Sequence, residues 1–203
     1  MQFKKFKDES GFDFCFPVEY NPCKADAVSY PGLSSVDFTL EMPDEFLFIE
    51  VKNLDNPNIP QDVIERERRK FIIKTKKSSK CASNCPRDGI CPKCGKIQFV
   101  CETHSKLKDT LLKRLAKGEI FTKPIVYVLL FEFRGFDYEQ RRRLFELIKT
   151  NFPRFAEDEY SSIHSIKFLL YDSKNFKEKY TDFNINPTRS EAEKIPAKAG
   201  NYI

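Results

Sequence analysis

Two stretches of the chain, Phe46–Val51 and Ile125–Phe131, are apolar on both faces, the pattern of strands buried in the middle of a layered domain. Gly11 to Val18 instead places Phe12, Phe14 and Phe16 at every second position and stops at Pro17 and Tyr20-Asn21-Pro22, which predicts a half-buried strand closed by a turn. A second short strand is expected from Ala25 to Tyr30, before Pro31-Gly32. Val36–Glu41 and Phe46–Lys52 then predict a hairpin with Met42-Pro43-Asp44-Glu45 as its turn. Pro60-Gln61-Asp62 opens a helix, with Ile64, Arg68, Phe71 and Ile72 on one side. Leu107, Leu111 and Leu115, spaced by fours, predict an amphipathic helix from Thr103 or Ser105 to Gly118. Because a helix precedes Ile125–Phe131, that strand should lie parallel to a neighbour. Tyr138 to Phe152 reads as a further helix and Ile166 to Tyr171 as a further buried strand. Residues 74–101 show no core periodicity, and the tail from Asn184 carries little core signal.

A length of 203 residues suits one domain with an insertion, and 20 Phe with 32% charged residues is a globular composition. The chain shows no apolar run of membrane-spanning length and no signal peptide, so a cytoplasmic protein with no membrane partner is expected. The net charge is only +5, but the cations cluster at Arg66, Arg68, Arg69 and Lys70, at Lys74, Lys76, Lys77 and Lys80, and at Arg141, Arg142 and Arg143. Local patches of this kind suit a polyanion, although any one of them also reads as a solvated helix face.

The hairpin carries the candidate chemistry. Side chains alternate along a strand, so Glu50 and Lys52 share a face while Val51 points away, and Asp37 stands on the strand before. Asp37 and Glu50 can hold a hard divalent cation such as Mg2+ (or Mn2+), to which the Val51 carbonyl could add a ligand. Lys52 can orient or deprotonate a water and offset transition-state charge. A bare Glu-x-Lys is common and equally describes a surface ion pair at a strand end.

Asp37 followed by Glu50-Val51-Lys52 at the end of an apolar strand resembles the PD-(D/E)XK nuclease superfamily, over Ser35–Lys52 in motif and Ala25–Tyr171 in element order. Val36 stands where the motif's name has proline. The resemblance implies an α/β, restriction-endonuclease-like fold, a mixed central β-sheet flanked by helices, over a single domain of residues 1–183; residues 184–203, with Pro187, Pro196 and little core signal, read from their composition as a loose or partner-binding tail. It also implies a further acidic residue, for which Glu9 or Glu19 could stand, and an assisting lysine on the helix after the catalytic strand, where Lys106 or Lys108 could serve.

Five of the seven cysteines fall between Cys81 and Cys101. Cys81, Cys85, Cys91 and Cys94 form a four-thiolate set, and Cys91-Pro92-Lys93-Cys94-Gly95 is a knuckle that suits structural zinc. Cys91, Cys94, Cys101 and His104 form a competing set, and an iron–sulfur cluster is the rival cofactor. The segment 74–104 is therefore expected to be a zinc-binding insertion. Cys15 and Cys23 read as ordinary thiols.

Two functions follow from these features. The first is a metal-dependent nuclease acting on nucleic acid, DNA more than RNA, in restriction, repair or antiviral defence. The second is a non-catalytic nucleic-acid-binding or assembly subunit. Either could act as a homodimer or within a larger complex.

Overall fold

The computed structural model describes residues 1–8, 10–27, 32–69, 98–133, 135, 138–151 and 165–187. Among these residues the chain is a mixed α/β structure with two sheets and four helices. The larger sheet has five strands in the order β3 (Cys23–Lys24), β4 (Phe38–Glu41), β5 (Phe46–Asn53), β6 (Ile125–Glu132) and β7 (Ile166–Tyr171). β3, β4 and β5 are successively antiparallel, whereas β5, β6 and β7 are parallel. The helices are α1 (Gln61–Arg69), α2 (Gln98–Ala116), α3 (Tyr138–Asn151) and α4 (Ser173–Lys179). A smaller antiparallel sheet sets β2 (Phe12–Pro17) between β1 (Phe3–Lys7) and β8 (Asn184–Pro187).

The apolar stretches of β5 (Phe46–Ile49 and Val51) and β6 (Ile125–Phe131) follow from their position, because each strand has a packed layer on both faces. Phe46 and Phe48 of β5 and Tyr127 and Leu129 of β6 pack against Phe99, Leu107 and Leu111 of α2 and Leu144 and Ile148 of α3. On the opposite face, Leu47, Ile49 and Val51 of β5 and Val126 and Val128 of β6 meet Phe12, Phe14 and Phe16 of β2, Phe176 of α4 and Ile185 of β8. Phe14 and Phe38 join the two sheets at a ring separation of 4.7 Å.

The expected β2, β4–β5 hairpin, α1, β6, α3 and β7 are present, and β6 is parallel to its neighbours as the preceding helix requires. Four departures have physical causes. Ala25–Ala27, the part of the expected Ala25–Tyr30 strand that is described, forms a 3-10 turn, and the residues paired with β4 are Cys23–Lys24 just before it, in keeping with the weak strand preference of Ala and Asp. α2 is already helical at Gln98, so the expected insertion cannot extend to 104 as irregular chain; Phe99, Val100, Thr103 and Leu107 are buried on it. β1 passes unnoticed in the sequence because three of its five residues are lysines on an exposed edge. Asn184–Pro187 pairs with β2 and buries Ile185 completely, so this stretch belongs to the smaller sheet and not to a loose tail. Cys81, Cys85, Cys91 and Cys94, Glu9 and residues 188–203 lie outside the described residues.

The β1–β2 turn docks against the loop after β5 through a glycine. Gly11 has φ +84°, and a Cβ there would lie 2.6 Å from Asn56 Nδ2 and 2.7 Å from Asn56 Cγ. Asn56 is itself buried, and its Oδ1 accepts a hydrogen bond from the Asn58 amide at 3.0 Å. Gly11→Ala should therefore cost about 2 kcal/mol, from left-handed backbone strain plus overpacking. Urea unfolding measures the loss; one below roughly 0.5 kcal/mol would place Asn56 in a yielding environment instead.

Candidate active site

Asp37 immediately precedes β4, and its position is set from two sides. Its amide donates to the Ile49 carbonyl at 3.0 Å, continuing the β4–β5 pairing by one residue. From the helical side, α2 ties down the preceding segment: Asp109 accepts from the Ser34 amide and hydroxyl at 3.0 Å, Thr110 Oγ1 accepts from the Val36 amide at 3.0 Å, and Lys113 donates to Ser35 Oγ at 2.6 Å. Phe38 and Leu40 then fall on the face toward the smaller sheet, so alternation turns Asp37 to the α2 face, which Glu50 also shares with Phe46 and Phe48.

Asp37, Glu50 and Lys52 come together as their spacing predicts. Asp37 Oδ2 accepts a 2.6 Å hydrogen bond from the Val51 amide. Lys52 Nζ lies 3.4 Å from Glu50 Oε1. The fourth member is Lys106 of α2, whose ammonium lies 2.6 Å and 2.7 Å from the two oxygens of Glu50 and 3.5 Å from Asp37 Oδ1. Of the two lysines suited to this place by sequence, Lys108 turns outward, its side chain 75% exposed and 3.8 Å from Asp109. The two carboxylates therefore converge on one positive charge, with Glu50 only 1% exposed and Asp37 9%.

The electrostatics follow from that burial. Asp37 is pushed up to about 7, first by desolvation and then by the Glu50 carboxylate, which together outweigh Lys106 and the Val51 amide. Burial alone would pull Lys106 down, but Glu50 and Asp37 reverse the direction and hold it above its ordinary value. It is a firmly protonated ammonium and not a candidate base. Tyr127, on the neighbouring strand, is raised well above its ordinary value by burial and then by the two carboxylates, and is a neutral phenol.

A cleft of about 240 Å3 opens at this end of β5, lined by Asp37, Val51 and Lys52 and, from other elements, by Asp8, Lys24 and Asp26. Asp8 follows β1, and its side chain is 8% exposed and 3.8 Å from Lys24 Nζ. These three residues carry no motif in the sequence, since only the docking of the smaller sheet brings Asp8 beside β5. Glu19, the other residue suited by sequence to the further acidic position, sits exposed in a 3-10 turn and does not line the cleft.

Among the described residues, no group of three or more His, Cys, Asp or Glu side chains is gathered so as to hold a metal ion. The hard-oxygen pair of Asp37 and Glu50 nevertheless fits a cation by its own geometry, because a cationic group already stands where both carboxylates point. Cys101 and His104 both lie on α2. No helix among the described residues is long and apolar enough to cross a membrane. Comparison with protein-family models, with curated proteins and with solved structures returns no match.

Proposed function

We propose that the chain is a divalent-cation-dependent nuclease of the restriction-endonuclease-like kind, with Asp37, Glu50 and Lys52 as its catalytic residues. The observation that carries this reading is the convergence of two buried carboxylates on one cationic point beside a lysine at a cleft. The mixed sheet supports it, because Asp37 and Glu50 stand at the antiparallel β4–β5 pair while β5 is hydrogen-bonded on its other side to parallel β6, and β6 to parallel β7. Asp37 and Glu50 would hold Mg2+ or Mn2+, aided by the Val51 carbonyl, which points to the same strand edge as the amide bound to Asp37. When bound, such a cation neutralises charge on a scissile phosphate and acidifies water.

The protein's own groups do the remaining work. Lys52, 27% exposed at its side chain and lining the cleft, faces the position of a phosphate and offsets the charge that develops as a water attacks phosphorus. Lys106 keeps both carboxylates aimed at one point and partly balances their charge. The Cys81, Cys85, Cys91 and Cys94 spacing supports a structural zinc in the insertion.

A second reading, a non-catalytic nucleic-acid-binding subunit, is favoured by one observation: Lys106 already occupies the point on which the carboxylate pair converges, as in a structural ion cluster. Plasmid, linear DNA and RNA incubated with Mg2+, Mn2+ or EDTA separate the two. Cation-dependent cleavage is expected, with Lys52→Ala slower by about 100-fold, the typical worth of one charge-stabilising group. Equal cleavage by wild type and Lys52→Ala would sink the assignment; no cleavage by either would favour the binding subunit.

A further inference from the structure

A second cleft, of about 380 Å3, opens at the same carboxyl edge of the sheet, where α3 follows β6 and α4 follows β7. The two clefts are neighbours in register. Lys52, lining the first, is paired with Phe131, lining the second, and Leu130 is paired with Tyr171 on the next strand. At about 4.8 Å per strand step, the second cleft begins one strand from Lys52 and ends about two strands away. Carboxyl edges of parallel strands are where ligands of α/β sheets collect.

Its lining is aromatic and cationic. Tyr138 is 76% exposed at the start of α3, a position where an aromatic ring gains nothing from the core. Tyr171 and Phe145 add partly buried rings, Phe145 being stacked on Phe168 at 5.8 Å. Arg141 is held in place by Asp172 at 3.2 Å and by the Phe133 carbonyl at 3.4 Å. Asp172 is fully engaged, since its other oxygen accepts from the Asn175 amide at 2.8 Å as the cap of α4. Arg142 is 60% exposed at its side chain and pairs with Glu139, at 3.0 Å on the same helix. Exposed pairs of that kind are weak, so Arg142 can exchange Glu139 for a phosphate, which a guanidinium binds with two parallel hydrogen bonds.

We propose that this cleft is a subsite for one unpaired nucleobase and its phosphate, and that the substrate is single-stranded nucleic acid lying along the carboxyl edge and across Lys52. The proposal rests on the nuclease reading of the neighbouring site. A paired base presents only its edges in a groove, whereas a ring such as Tyr138 needs an open base face. Asn175, exposed on α4, supplies an amide for the base edge.

Fluorescence anisotropy in EDTA tests the subsite apart from catalysis. A short labelled oligothymidylate, the matching oligouridylate and a blunt duplex are titrated with wild type, Tyr138→Ala and Tyr138→Phe. Single strands should bind more tightly than duplex, Tyr138→Ala should weaken single-strand binding about tenfold, and Tyr138→Phe should restore it, since stacking needs the ring and not the hydroxyl. The tighter of the two single strands identifies DNA or RNA. Unchanged single-strand affinity in Tyr138→Ala, or an equal loss for the duplex, overturns the proposal, as does binding of neither strand. If the ring-dependent loss appears while wild type cleaves nothing in Mg2+ or Mn2+, the subsite stands and the nuclease reading falls. If wild type cleaves duplex and Tyr138→Ala binds single strands as well as wild type does, the nuclease reading stands and the subsite falls.

Discussion

Lys106→Ala should lower the unfolding free energy by about 3–5 kcal/mol in EDTA near neutral pH, the loss typical of breaking a buried ion cluster from one side. The reason is geometric. Lys106 supplies hydrogen bonds of 2.6 Å and 2.7 Å to Glu50 and stands 3.5 Å from Asp37. Without it, two nearly buried carboxylates face each other with only Lys52, 3.4 Å from Glu50, as partial compensation. Lys108→Ala is the control, because its side chain is 75% exposed and 3.8 Å from Asp109, and it should change stability by no more than about 0.5 kcal/mol. Mg2+ or Mn2+ should then recover part of the Lys106→Ala deficit, since an ion bound only to the folded state adds stability in proportion to the logarithm of its concentration. Urea unfolding with and without the cation measures both effects. A deficit below about 1 kcal/mol, or one that divalent ions leave untouched, would show that Asp37 and Glu50 do not share a cation site.

Asp37→Asn should act in the opposite direction. The folded protein holds the Asp37 proton up to about 7 against an ordinary 3.8, so it binds more protons than the unfolded chain between those values. The stability this residue contributes is thus fully present below 3.8 and is lost as pH rises through about 7. At 1.36 kcal/mol per pH unit, the difference between the asparagine variant and wild type should open by about 4 kcal/mol between acid and mildly alkaline solution and then level off. Asparagine keeps an oxygen for the Val51 amide, so the main-chain hydrogen bond at 2.6 Å in wild type is preserved. Cleavage should nevertheless disappear in this variant. In wild type, cation affinity should rise with pH up to about 7, because proton and metal compete for the same carboxylate. Parallel stability curves for the two proteins across that range would mean that Asp37 is ordinarily ionised in the folded state.

The two substitutions have opposite signs because they remove opposite charges from one buried cluster. Glu50 and Lys52 were legible in the sequence because an apolar strand ending in Glu-x-Lys is unusual. Asp37 was legible because hairpin spacing sets it opposite Glu50. Lys106 was visible only as one of two lysines on an amphipathic helix. The turn of α2 that buries Phe99, Thr103, Leu107 and Thr110 is what aims Lys106, and not Lys108, at the sheet. Asp8, Lys24 and Asp26 could not be found at all by spacing, since their place in the cleft depends on how β1, β2 and the 3-10 turn after β3 dock against β5.

What the sequence by itself determined was local: apolar runs on both faces for β5 and β6, period-two phenylalanines for β2, leucines by fours for α2, and an acid, an acid and a lysine on one hairpin. These patterns are set by backbone periodicity and by the need to bury apolar surface, which act on neighbouring residues. Only the tertiary structure decided the rest, from the smaller sheet that pairs Cys15 of β2 with the far-distant Asn184 of β8 to the register that sets Lys52 beside Phe131. Contacts at such separation depend on which faces pack, and charges become unusual only once that packing has taken water away from them.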